Sequence, residues 1–126
     1  AQYDQQATAT LMGTTQDIGR EAEGHAATLL ARAGLQPVRR NYRCRGGEID
    51  LVMREGECLV FVEVRQRSHG GFGGALYSID QRKRSRVILA ARHYLATSGW
   101  TGPCRFDVVV FDQGRPGQWI PDAFTL

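Results

Sequence analysis

Glu48 and Asp50 alternate along the run Gly47-Glu48-Ile49-Asp50-Leu51-Val52-Met53, and Glu63 and Arg65 alternate along Phe61-Val62-Glu63-Val64-Arg65. Between the two runs lies Glu55-Gly56-Glu57-Cys58, with glycine at the first central position that a two-residue type II′ hairpin turn favours. With Gly56 and Glu57 as the loop, Met53 faces Val60, Val52 faces Phe61 and Leu51 faces Val62. Asp50 then faces Glu63, and Glu48 faces Arg65. Directly opposed Cβ atoms lie about 4.5–5.5 Å apart, and like charges so placed are destabilising. Two carboxylates aimed at one point therefore need compensation. A hard divalent cation, Mg²⁺ or Mn²⁺, supplies it through carboxylate oxygens. Arg65 is the alternative source of compensation, and a register slip of one residue separates the pair altogether.

The elements that position these residues follow from periodicity and breakers. Thr15 and Asp17 suit a helix N-cap, and Ala22, Ala26, Leu29, Leu30 and Ala33 make one helical stripe ending at Gly34. Glu23 sits at the edge of that stripe. Gln36 to Arg43 reads as a short strand that Pro37 confines to an edge. Glu48 to Arg54 and Cys58 to Arg67 form the hairpin, with Ile49, Leu51, Met53, Val60, Val62 and Val64 as its core face. Ser68 to Gly74 is a glycine-rich loop, read as contacting substrate or as a simple connector. Asp80 caps a second helix to about Thr97, with Ile79, Val87, Ile88, Ala91, Tyr94 and Leu95 as candidate core. Arg105 to Phe111 is a buried strand and Gln118 to Ile120 a short last one. The expected architecture is α/β, one mixed sheet flanked by two main helices. Residues 1–16 are expected to be a flexible tail and 17–126 a single domain.

Composition narrows the function classes. The 126 residues are 42% hydrophobic and 23% charged, as in soluble globular domains. No apolar run approaches the ~20 residues of a membrane helix, and the polar start lacks a signal-peptide pattern, so a cytoplasmic location is expected. Cys44, Cys58 and Cys104 are odd in number and contain no Cys-x-x-Cys, which supports neither a zinc site nor a disulfide framework. The net charge is +3, and of the 16 basic residues only Lys83 is lysine. Arg39, Arg40, Arg43 and Arg45, then Arg82, Lys83, Arg84 and Arg86, cluster in the manner of a phosphate-tracking surface, with solvated faces as the alternative. Arg43, Arg45, Arg67, Arg82, Lys83 and Arg86 are the candidate nucleic-acid contacts. His25 and His93 read as structural or exposed, and Trp100 and Trp119 as packing.

In order along the chain stand Gly19-x-x-Ala22-Glu23-x-x-Ala26, Gly34, Asn41, Gly47-Glu48-Ile49-Asp50, Phe61-Val62-Glu63-Val64-Arg65 and Arg105-Phe106-Asp107. This combination resembles the YraN family of bacterial proteins, related to Holliday-junction resolvases and the PD-(D/E)xK nucleases. The resemblance covers about residues 17 to 124. It implies a restriction-endonuclease-like fold, a metal site of Asp50 and Glu63 completed by Glu23, and a DNA substrate, with branched structures among the candidates. It also admits a homodimer. The position two after the second carboxylate is usually lysine and here is Arg65, which stays protonated and cannot act as general base. Arg65 can instead stabilise charge on the reacting phosphate. The resemblance thus leaves two functions open: a metal-dependent nuclease with Asp50, Glu63 and Arg65 as catalytic residues, or a silent binding module of the same fold.

Overall fold

The computed structural model describes residues 15–67, 81–112 and 116–125. The glycine-rich loop, Ile79, Asp80 and most of the N-terminal tail lie outside the described residues. The described chain forms α1 (Thr15–Arg32), β1 (Gln36–Cys44), β2 (Gly47–Glu55), β3 (Cys58–Arg67), α2 (Gln81–Ser98), β4 (Cys104–Asp112) and β5 (Gln118–Phe124). The strands lie in the order β1-β2-β3-β4-β5, with β3 and β4 parallel and every other pair antiparallel. This is the mixed sheet flanked by two helices that the sequence predicts.

The β2–β3 hairpin has the expected register: Glu55 pairs with Cys58, Met53 with Val60, Val52 with Phe61 and Leu51 with Val62. Gly56 has φ of 58° while Glu57 stays at negative φ, the combination of a II′ turn. Hydrophobic burial then proceeds on both faces of the sheet. Leu51, Met53, Val60, Val62 and Val109 pack with Ala26 and Leu30 of α1. Val52, Leu59, Phe61, Phe106, Val108 and Val110 pack with Val87, Ala90 and Ala91 of α2. The first helix ends where Gly34 donates to the Ala31 carbonyl and Leu35 to that of Leu30, a Schellman closure with Leu30 and Leu35 in one apolar cluster.

One assignment is corrected. Ile49 lies in the α2-side cluster with Val52 and Tyr42, not with Leu51 and Met53. Simple alternation fails because Asn41, in mid-strand, has φ of 54°. Tyr42 pairs with Ile49 and Arg40 with Leu51, so the switch in facing falls at Asn41 and, opposite it, Asp50. Asparagine is among the few non-glycine residues that tolerate this conformation.

The final strand also runs beyond Ile120, to Phe124. Pro121 and Asp122 read as a stop, yet an edge strand tolerates proline, and the register shifts between Phe106 and Val108. The fully buried Asp107 holds this bulge. Its carboxylate accepts from Arg105 Nε (3.0 Å) and Nη2 (3.2 Å), from Trp119 Nε1 (2.9 Å) and from the Asp122 backbone N–H (2.9 Å).

Close packing fixes α2 against β2. A Cβ on Gly47 would lie 2.5 Å from the Arg86 carbonyl oxygen and 2.9 Å from the Ala90 nitrogen. Gly47→Ala must push the helix away, and overpacking of this kind costs about 1–3 kcal/mol. Urea unfolding is expected to show that loss at an unchanged m-value; an unchanged midpoint would mean that α2 is not held this tightly.

Candidate functional site

The site forms where β2 and β3 part. Their ladder runs up to Leu51 and Val62. Beyond it, the Val64 N–H donates to Asp50 Oδ2 at 2.8 Å. The face switch at Asn41 and Asp50 places Asp50 between the two layers, so each helix can reach it. From α1 comes Glu23, whose carboxyl meets Asn41 and Asp50. From α2 comes Lys83, whose Nζ lies 3.1 Å from Glu63 Oε2. Glu63 projects from β3 on the α2 face, and its side chain is only 3% exposed.

The electrostatics are those of an under-compensated anionic centre. Burial, then the neighbouring Asp50 charge, pushes the Glu63 carboxyl up to about 8, against the opposing pull of Lys83. Burial also raises Asp50, although the Val64 N–H and Lys83 act the other way. Glu23 is raised by burial and by Asp50. Burial pulls Lys83 down, but Glu63, with Asp50 and Glu48, holds it above the ordinary lysine value. Glu63 Oε1 and Glu23 Oε1 are buried without a hydrogen-bond partner among the described residues. Buried oxygens left so are uncommon in native proteins and point to a missing ion or water.

These features fit a hard cation. Asp50 stands between the other two carboxylates rather than closing a ring with them, and among the described residues no three His, Cys, Asp or Glu side chains have the spacing of a complete metal cage. Mg²⁺ does not need one, since it is usually held by one or two carboxylates with waters and substrate phosphates. Asp50 and Glu63 are the residues that would hold it, with Glu23 at the periphery.

The remaining predicted site residues are distributed as follows. Arg65 follows Glu63 on the same face of β3 and is partly exposed. Arg43 Nε and Arg86 Nη2 lie 3.6 and 3.7 Å from the two oxygens of Glu48. Arg45 is exposed in the β1–β2 turn, and Arg82 is exposed on the first turn of α2. Arg67 ends β3, and its side chain lies outside the described residues. Sequence reasoning favours Lys83 as a phosphate contact or solvated residue over one that projects toward the site; the structure puts its ammonium on Glu63. The missed residues are Asn41 and Arg20. Together with Gly19, Glu23 and Arg43 they line a cleft of about 310 Å³ beside the carboxylates. Asn41 carries a signal, an isolated asparagine in an otherwise strand-like run; Arg20 carries none.

An α/β domain with a buried and a part-buried carboxylate at a strand fork, a lysine on the buried one and arginines around them defines the class of protein. The chain belongs to the family described as uncharacterised protein family UPF0102, which it matches over residues 22–111. This is the YraN family of the sequence motifs. A UPF0102 protein of Cupriavidus necator is 57% identical over 116 residues, covering 91% of this chain and 88% of the relative. One from Dechloromonas aromatica is 55% identical over 112 residues, covering 89% and 92%, and one from Hahella chejuensis is 54% identical over 112 residues, covering 86% and 90%. Among the described residues no helix is long and apolar enough to cross a membrane.

Proposed function

We propose that this protein is a metal-dependent endonuclease that hydrolyses DNA phosphodiester bonds, with branched DNA among the candidate substrates. The observation that carries this reading is the Asp50–Glu63 pair: a part-buried and a buried carboxylate on parting strands, Glu63 with an orphaned oxygen and held well above the ordinary carboxylate range by burial and by the Asp50 charge. Bound between them, Mg²⁺ or Mn²⁺ would activate water and balance charge developing on the scissile phosphate.

The chain's own residues supply the rest. Asp50 is oriented by the Val64 N–H and Glu63 by its place on the buried strand. Arg65 offers a permanent positive charge to the phosphate in its transition state. The exposed Arg45 and Arg82, with Arg43 and Arg86 around Glu48, grip flanking phosphates and carry no sequence information. The motif resemblance to nucleases of the PD-(D/E)xK group supports the same reading. So does the succession α1-β1-β2-β3-α2-β4, which suits the restriction-endonuclease-like fold that the resemblance implies.

Nicking of supercoiled plasmid tests the assignment of Arg65. Loss of one comparable electrostatic donor costs roughly 10²–10³ in rate, so Arg65→Ala is expected to fall by that factor with Mn²⁺ while its melting temperature holds. Arg65→Lys keeps the charge and retains activity. Equal nicking by all three chains would remove Arg65 from the reaction. The substitution of arginine for lysine favours the second reading, a silent DNA-binding module. That reading predicts salt-sensitive DNA binding with no nicking by any of the three.

A further inference from the structure

Lys83 is the chain's only lysine. Its ammonium contacts a carboxylate that is 3% exposed, while its own side chain is 38% exposed. The pair therefore straddles the boundary between core and solvent, with the carboxylate fixed on β3 and the lysine on a flexible four-carbon stem. Lys83 meets Glu63 Oε2 and leaves Oε1 without a partner. A single positive charge thus half-satisfies a group that faces Asp50 as well.

We infer that Lys83 is an exchangeable counter-ion, which holds Glu63 in the cation-free protein and passes to a substrate phosphate when a divalent cation takes that carboxylate. The inference rests on reading Asp50 and Glu63 as a cation site. Three points carry it. An ammonium and a dication repel each other strongly over a few ångströms in a partly dry site, so both do not stay on one carboxylate. The Lys83 side chain is 38% exposed, so its stem reaches solvent from α2. The exposed Arg82 and Arg86 flank Lys83 on α2. A released ammonium therefore joins a face that already attracts phosphate. Arg65, by contrast, is rooted on the strand. The consequence is linkage: cation and DNA each strengthen the other's binding through one side chain, reciprocally.

Reductive methylation with ¹³C-formaldehyde preserves the lysine charge and gives the intact chain one lysine methyl signal. Titration with Mg²⁺ is expected to move that signal, saturably, to the position and sharpness of a free dimethyl-lysine, and to leave it in place in Asp50→Asn. Calorimetry with Mn²⁺ gives an independent readout. Lys83→Met, which removes the competitor, is expected to bind the cation about 5–150-fold more tightly, the usual span of such couplings. Lys83→Arg should stay near wild type. A signal that stays put while Mn²⁺ binds wild type would overturn the exchange, as would equal or weaker Mn²⁺ binding by a folded Lys83→Met. Absence of Mn²⁺ binding by wild type would instead remove the cation site itself, and the proposed nuclease with it.

Discussion

Glu63→Gln is expected to raise the melting temperature at pH 8 while eliminating metal-dependent activity. Glu63 ionises near pH 8 in the folded chain against 4.5 ordinarily, because it is buried beside Asp50. Between those values the folded state holds a proton that the unfolded state has lost, so stability falls as pH rises through this window. At about 1.4 kcal/mol for each tenfold, the full penalty on the ionised group approaches about 5 kcal/mol at pH 8. Glutamine cannot ionise and escapes it; the pull of Lys83 is already contained in the raised Glu63 value. A melting temperature several degrees above wild type is the expected result at pH 8. Near pH 5 the two proteins should melt together. Mg²⁺ should stabilise wild type most at the alkaline end, where it no longer competes with protons, and should not stabilise the variant. A variant that melts lower than wild type at pH 8 would show Glu63 to be a structural group.

Asp107 is the opposite kind of buried carboxylate, and Asp107→Ala is expected to destabilise the fold more than any substitution at the proposed cation site. Every contact of Asp107 is a donor: the Arg105 guanidinium, the Trp119 indole N–H and the Asp122 backbone N–H. Removing it leaves the largely buried Arg105 uncompensated on that side and frees the β5 bulge. Breaking a buried pair from one side costs about 3–5 kcal/mol, enough to lower the melting temperature by well over 10 °C. Glu55 also pairs with Arg105, at 2.6 Å, but is 43% exposed. Glu55→Ala should cost under about 1 kcal/mol, as exposed ion pairs do. Equal losses for the two variants, in denaturant melts, would refute this ranking.

Local chemistry made part of this structure legible in the sequence. The hairpin register was readable because Gly56 dictates the turn and the turn dictates every pairing to Leu51 and Val62. The limit of the first helix at Gly34 was readable through glycine chemistry. The direct opposition of Asp50 and Glu63 expected from that register is not part of the ladder, which ends at Leu51 and Val62 where the strands part. The face switch was not readable, because alternation is an average property of strands and Asn41 breaks it through one dihedral angle. Nor was burial of both sheet faces, since Val52 and Phe61 share a face with Glu63 and pattern alone does not place α2 over them. Lys83 lies on α2, about twenty residues after the glutamate it contacts, and only the packing of α2 against Gly47 brings the two together. The long last strand stayed hidden because Pro121 and Asp122 are local stop signals that a remote carboxylate, Asp107, overrides.

Hydrolysis of DNA by the Asp50–Glu63 centre with a divalent cation has one most direct measurement. The purified chain is incubated with supercoiled, linear and four-way-junction DNA in Mn²⁺, Mg²⁺ or EDTA, alongside Asp50→Asn. Strand cleavage of at least one of these substrates is expected with either metal, and none in EDTA. The variant is expected to lose at least about 10² in rate while keeping the wild-type fold and salt-dependent DNA affinity. Intact DNA in every wild-type reaction, or cleavage that survives EDTA or the Asp50→Asn substitution, would contradict a metal-dependent nuclease at this centre.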